Sequence, residues 1–177
     1  MYKNIHQFIP FQHENAEVKN NIIELARAQD RTKAEGALTA TLIYTNVVDY
    51  LAKHLLENLY KMSSIYLFKQ FGGVFHPDFS KKRTSLPIGQ LQAELKNFTF
   101  PQKRDFLELL QEFKKLRNQA MHNLMQLDPN DATKNIDADL ARIAELAEDL
   151  LAKYNVISSG LITIWDAANK NPHSEKS

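Results

Sequence analysis

The chain has no cysteine. Disulfides, zinc–thiolate sites and cysteine nucleophiles are therefore excluded. Glycine and proline are scarce, at 5 and 6 of 177 residues, which argues against a turn-rich β sandwich and for long helices. No Gly-x-x-x-x-Gly-Lys-Ser/Thr and no Gly-x-Gly-x-x-Gly segment occurs, so the common backbone cradles for nucleotide phosphates are missing. No apolar run is long enough to cross a bilayer, because Asp49, Lys53 and His54 interrupt the best candidate. The segment from Met1 to His6 lacks the apolar stretch of a signal peptide. The expectation is a cytoplasmic protein with no membrane partner.

Strong net charge is also lacking, at +1 for the whole chain. The distribution is uneven. Lys81, Lys82, Arg83, Lys96, Lys103, Arg104, Lys114, Lys115 and Arg117 face only Glu94, Asp105, Glu108 and Glu112 across the same stretch. From Asp128 to Asp149 the acids dominate. A local basic surface can meet a phosphate backbone even when total charge is near zero. Charge alone reads more simply as two solvated helix faces of opposite sign.

What is present in quantity is apolar surface, 44% of residues, enough for one real core. The expectation is a single helical domain over 1–168 and a polar, disordered tail over 169–177. Residues 1–13 read as an irregular arm around Pro10. Glu14 to about Arg31 carries Val18, Ile22, Leu25 and Ala26 at helical spacing, and Asp30-Arg31-Thr32 and Gly36 suggest a break. A long helix runs from Ala37 to Phe71 and ends at Gly72-Gly73. Val74 to Thr84 reads as a loop. Pro87 opens a short helix with Ile88, Leu91, Leu95 and Phe98. Thr99-Phe100-Pro101-Gln102 matches a capping box for the next helix, which Asp128-Pro129 stops. The last helix starts near Ile136, with Ser158-Ser159-Gly160 as a possible kink or end. Val156 to Trp165 alone resembles a strand. The sum is an all-α, up-and-down bundle of about five helices.

The chemistry concentrates in Phe113-Lys114-Lys115-Leu116-Arg117-Asn118-Gln119-Ala120-Met121-His122-Asn123. Phe113, Leu116 and Ala120 define its buried face. At about 100° per residue, His122 lies about 40° from Asn118 and about 140° from Arg117. Arginine has a long stem, so Arg117 is expected to reach around the helix and join them. These side chains suit phosphodiester cleavage without a metal. RNA supplies its own nucleophile, the 2′-hydroxyl. An imidazole can accept or supply the protons, and a guanidinium can hold the phosphate. A side-chain amide can orient either group. One chain offers one histidine here, so a two-fold dimer with both patches on one cleft would separate the acid and base roles. An arginine and a histidine near a helix end more often cap carbonyls or reach solvent. It is the combination with Asn118, late in an amphipathic helix, that points to chemistry.

That combination resembles the signature of the HEPN superfamily: Arg, commonly a polar residue next, then His after four to six intervening residues. Arg117, Asn118 and His122 match it with four. The resemblance extends to the long helix with Asp49 and to the short helix after Leu86-Pro87-Ile88-Gly89-Gln90-Leu91. It implies a HEPN-like fold and a metal-independent endoribonuclease with no cofactor. It further implies a homodimer with a composite active site, acting on RNA in toxin–antitoxin systems, phage defence or RNA processing. An antitoxin protein is then a possible partner. One toxin branch has a modifiable Tyr two residues after the His; Leu124 stands there in this chain. Some members are inactive, so a non-catalytic dimerisation module binding nucleotide or protein is the alternative.

The catalytic set is thus Arg117 as phosphate clamp, Asn118 as orienting residue and His122 as acid–base group. Asn123, Lys114 and Lys115 are candidates for contact with the RNA backbone. Asp49 is a further candidate for the site, able to orient a catalytic residue if buried; pairing with Lys53 or facing solvent is the simpler expectation. Tyr44 and Asn46 are weaker candidates. His54 and His76 have no carboxylate at ligand spacing, so no metal site is expected. Lys81-Lys82-Arg83 could steer RNA electrostatically, though exposed loops of this kind often have no partner. Tyr154 and Trp165 read as packing residues or part of a dimer face.

Overall fold

Apolar residues at three- and four-residue spacing, seldom interrupted by glycine or proline, build five α-helices. The structure is a computed structural model that describes residues 8–11, 16–70, 86–126 and 133–170. The helices are α1 (Ala16–Arg27), α2 (Ala34–Gln70), α3 (Ile88–Leu95), α4 (Lys103–Gln126) and α5 (Thr133–Lys170). No strand occurs among the described residues. The chain is an all-α helical bundle. None of its described helices is long and apolar enough to cross a membrane.

At 1.5 Å per residue, α2 and α5 are each about 55 Å long. They share the most extensive contact of the molecule, followed by α4 with α5. Leu51, Leu55 and Leu56 of α2 meet Ile143, Leu150 and Tyr154 of α5 in the core, all essentially without exposure. α1 covers α2 with Ile23 and Ala26. α3 wedges against α2 and α4 with Leu91 and Leu95. The buried Gln92 amide of α3 donates to the Leu107 carbonyl of α4 at 3.2 Å, which satisfies a polar group that would otherwise be costly to enclose. Three ion pairs, Arg27–Glu148, Arg142–Glu112 and Lys153–Asp105, link helices at the surface. They are exposed and add little.

A second polar joint ties α1, α2 and α5. His54 Nδ1 and the Tyr154 hydroxyl are 2.6 Å apart. Tyr50 stacks on the His54 ring, and the Lys19 ammonium lies 4.8 Å from the centre of the Tyr154 ring. Phe11 closes over this joint and is buried. Its backbone N–H donates to Asn58 Oδ1 at 2.9 Å, and its φ is 61°, a conformation uncommon for a bulky residue. His54 and Tyr154 are therefore packing residues.

Several local expectations are corrected. Gly36 does not break the chain; it lies in the first turn of α2. The break is the turn at Asp30, whose carboxylate accepts from the Thr32 backbone N–H and hydroxyl. A Cβ on Gly36 would sit 2.0 Å from the Asp30 carbonyl oxygen, so close approach of two backbones explains the glycine. The capping box at Thr99 does not form. α4 starts at Lys103, entered from Gln102 with φ 53°, and the Gln102 carbonyl accepts from Phe106 N–H. Phe98 falls beyond the end of α3. Ser158-Ser159-Gly160 does not end α5, which continues through Val156 to Trp165 in keeping with the helical period. Gly160 instead lets Pro101 approach; a Cβ there would lie 3.3 Å from the proline ring. α5 starts before Ile136 and runs through Asn169 to Lys170. The Gly72-Gly73 stop, the Val74–Thr84 loop with Lys81-Lys82-Arg83, the Asp128–Asp131 stop and the tail over 171–177 lie outside the described residues.

Gly36→Ala would gain about 1 kcal/mol of helix propensity. Overcrowding against the Asp30 backbone is expected to outweigh that gain, for a net destabilisation of about 1–2 kcal/mol in urea unfolding. An unchanged or more stable variant would show that the turn can open freely.

Candidate functional site

Phe106, Leu110, Phe113 and Ala120 are the fully enclosed residues of α4. Their spacing is four, three, then seven. The position that completes the repeat, four after Phe113 and three before Ala120, is Arg117. The helix therefore delivers Arg117 to its core-facing stripe, where an apolar residue would be expected. From that stripe Arg117 has to turn its long stem toward Asn118 and His122, which lie on another face of the helix. Leu116, assigned to the buried face from sequence, is only partly buried, as is Arg117.

The Arg117 guanidinium turns onto its neighbour. Nε and Nη2 both donate to Asn118 Oδ1, at 3.2 and 2.6 Å. Asn118 and His122 are exposed, one turn apart on one face of α4. No hydrogen bond among the described residues joins His122 to Arg117 or Asn118. Lys115 is exposed on the same side. Lys114 is partly buried, and its Nζ would lie 3.2 Å from a Cβ on Gly89, so its ammonium rests on the start of α3. Asn123 is turned about 100° from His122 along the helix and is partly buried.

The charges of α4 divide along its length. In the first half the acids are engaged: Asp105 with Lys153, Glu108 with Arg104, and Glu112 with Arg142. In the second half, Lys114, Lys115 and Arg117 are in no ion pair among the described residues. A cationic turn without carboxylates is suited to an anion. The groove of about 590 Å³ between α4 and α5 is not the matching cleft. It lies along the first half of α4, lined by Asp105, Glu108, Glu112 and Asp149, and those carboxylates repel phosphate.

Across from Arg117, α2 presents Asp49. It is partly buried, and its Oδ1 is shielded from solvent with no hydrogen-bond partner. Burial pushes its carboxyl above the ordinary carboxylate range, against the opposing pull of Lys53 and then Arg117. Asp49 thus feels the Arg117 charge without an ion pair to it or to Lys53. Neither simple expectation for Asp49, pairing with Lys53 or facing solvent, describes Oδ1. The sequence signal available for this was its place on α2 one turn after Thr45, which is partly buried, and one turn before Lys53. Tyr44 is buried in the core beside Arg31 and Asn46 is exposed; neither joins the patch.

Comparisons of the chain with protein-family models, with curated proteins and with solved structures find no match.

A carboxyl that binds its proton more tightly when folded stabilises the fold only while protonated. Stability is therefore lost as pH rises from the ordinary carboxylate range through the raised value of Asp49. Asp49→Asn removes the ionisation and keeps the shape. It is expected to stabilise the protein at neutral pH by about 1 kcal/mol, allowing for partial exposure, and to flatten this part of the pH dependence in urea unfolding. Destabilisation by Asp49→Asn would mean that the carboxylate makes a favourable contact.

Proposed function

We propose that the protein is a metal-independent endoribonuclease of the HEPN type, with Arg117, Asn118 and His122 as its catalytic set. The observation that carries this is the state of Arg117. Arg117 rises from the core stripe of α4 with its guanidinium tied to an amide rather than to a carboxylate, five residues before an exposed histidine. An arginine kept for stability would be expected to meet an acid; this one is left free to exchange a neutral acceptor for an anion.

In this mechanism a phosphodiester displaces the Asn118 oxygen and takes two N–H bonds from Arg117. The 2′-oxygen attacks phosphorus, the bond from phosphorus to the 5′-oxygen breaks, and the products are a 2′,3′-cyclic phosphate and a free 5′-hydroxyl. His122 works as the acid–base group and Asn118 orients the guanidinium. Lys115 and Lys114 add attraction for the backbone, and Asn123 is in reach of flanking nucleotides. A homodimer would bring a second His122 to the same cleft. Roles as a toxin or phage-defence effector, and an antitoxin partner, follow from the resemblance of the motif alone.

Wild-type protein incubated with total RNA and a chelator is expected to cleave it. Arg117→Ala and His122→Ala are each expected to slow cleavage by about 10²–10⁴, read from initial rates on gels. A His122→Ala protein as fast as wild type would sink the assignment and favour a binding module built on the same fold.

A further inference from the structure

One feature of the patch is unused by the mechanism above: the buried, unpartnered oxygen of Asp49. A buried carboxylate oxygen with no hydrogen-bond partner is normally disfavoured strongly enough to be rare. It is understandable where a ligand supplies the missing donor. RNA brings few donors close to its phosphates. The nearest is the 2′-hydroxyl, adjacent to the scissile phosphorus. A phosphate held by Arg117 is bound by the same guanidinium whose charge reaches Asp49 on α2.

We propose that Asp49 is the general base of this site, accepting the 2′-hydroxyl proton, so that one chain carries both proton-transfer groups. The inference rests on the reading of the patch as an RNA-cleaving site. The proton of the 2′-hydroxyl passes to Asp49 as the bond from the 2′-oxygen to phosphorus forms. The bond to the 5′-oxygen breaks, and protonated His122 gives that oxygen its proton. Asp49 is then protonated and His122 neutral, and exchange with water restores both.

The surroundings favour this division of labour. Burial already makes the Asp49 carboxylate a better proton acceptor than an exposed one. The phosphodiester anion strengthens that tendency, whereas Lys53 on α2 and Arg117 on α4 moderate it. Asp49 is only partly buried as a residue, and the proposed role requires its carboxylate to turn the shielded oxygen toward the ligand. His122 lies on the exposed face of α4 beyond Asn118, away from the stripe that faces α2. Base and acid thus come from different helices, Asp49 from α2 and His122 from α4, and act on different oxygens of the displacement.

The test uses an RNA oligomer that the wild type cleaves, and the same oligomer with sulphur replacing the bridging 5′-oxygen at the cut. A thiolate leaves without needing a proton. On the oxygen substrate, Asp49→Asn and His122→Ala are each expected to be slower by about 10²–10⁴. On the sulphur substrate, His122→Ala is expected to recover to within about tenfold of wild type, and Asp49→Asn to stay at least about 100-fold slow. A misplaced Arg117 would slow both substrates alike, but it would not separate the two variants in this way. Rescue of Asp49→Asn by sulphur, or an Asp49→Asn rate within about fivefold of wild type on oxygen, overturns the proposal. Failure of sulphur to rescue His122→Ala overturns it too. Mixing the two variants tests the single chain. No recovery is expected, whereas recovery to about a quarter of the wild-type rate would place Asp49 beside the His122 of another copy and overturn the one-chain arrangement. Thermal melts of both variants confirm folding. If the wild type itself cleaves no RNA, the ribonuclease reading fails first, and that result is distinct from all of these.

Discussion

The packing of α2 on α5 is the constraint from which the rest of the molecule follows. Each carries apolar residues around much of its circumference and needs cover on more than one side. Side by side they bury Leu51, Leu55, Ile143, Leu150 and Tyr154 completely. What remains uncovered sets the places of the other helices. α1 lies on α2, α4 lies along α5 and against α2, and α3 fills the angle between α2 and α4. The polar joint of His54, Tyr154 and Lys19 and the Gln92 amide are satisfied within this frame.

Among the described residues, the cover that α3 gives α4 stops short of the candidate site. α3 is only eight residues long and meets α4 near Lys114. Among the described residues, α4 continues beyond that turn with Arg117, Asn118 and His122 while α3 does not. Arg117 can be partly enclosed on the α2 side, with its head drawn to Asn118. Asp49 can be shielded without being paired. A low local dielectric raises the stakes of both charges, because each interacts more strongly with an incoming anion or donor than it would in water.

Much of the fold was legible in the sequence because helical periodicity is a strong signal over long segments. α2 and α5 were recognisable from Leu55, Leu59, Leu150 and Tyr154 and their spacing. The errors came from short signals with competing explanations. Gly36 looked like a breaker, but glycine also permits two backbones to touch, and only the neighbour at Asp30 decides between these. Thr99 to Gln102 had the residues of a capping box, yet Gln102 adopts a left-handed conformation that moves the helix start. In the site, the residue types of Arg117, Asn118 and His122 were readable. Leu116 was placed too deep: it seemed a natural core residue, while the enclosed set runs through Phe106, Leu110, Phe113 and Ala120. The state of Asp49 was beyond reach, since its missing partner depends on how α2 and α4 meet.

Arg117 also bears on how the bundle avoids packing wrongly. The α4 stripe repeats at heptad-like intervals, and such a seam is nearly self-similar under a slide of seven residues. A slide that carried Arg117 to the site now filled by Leu110 would enclose a guanidinium completely, at a cost of several kcal/mol without a partner. The shifted alignment is thereby disfavoured while the native one leaves Arg117 only partly buried. The same side chain that makes the patch cationic pins the register of the helix that carries it.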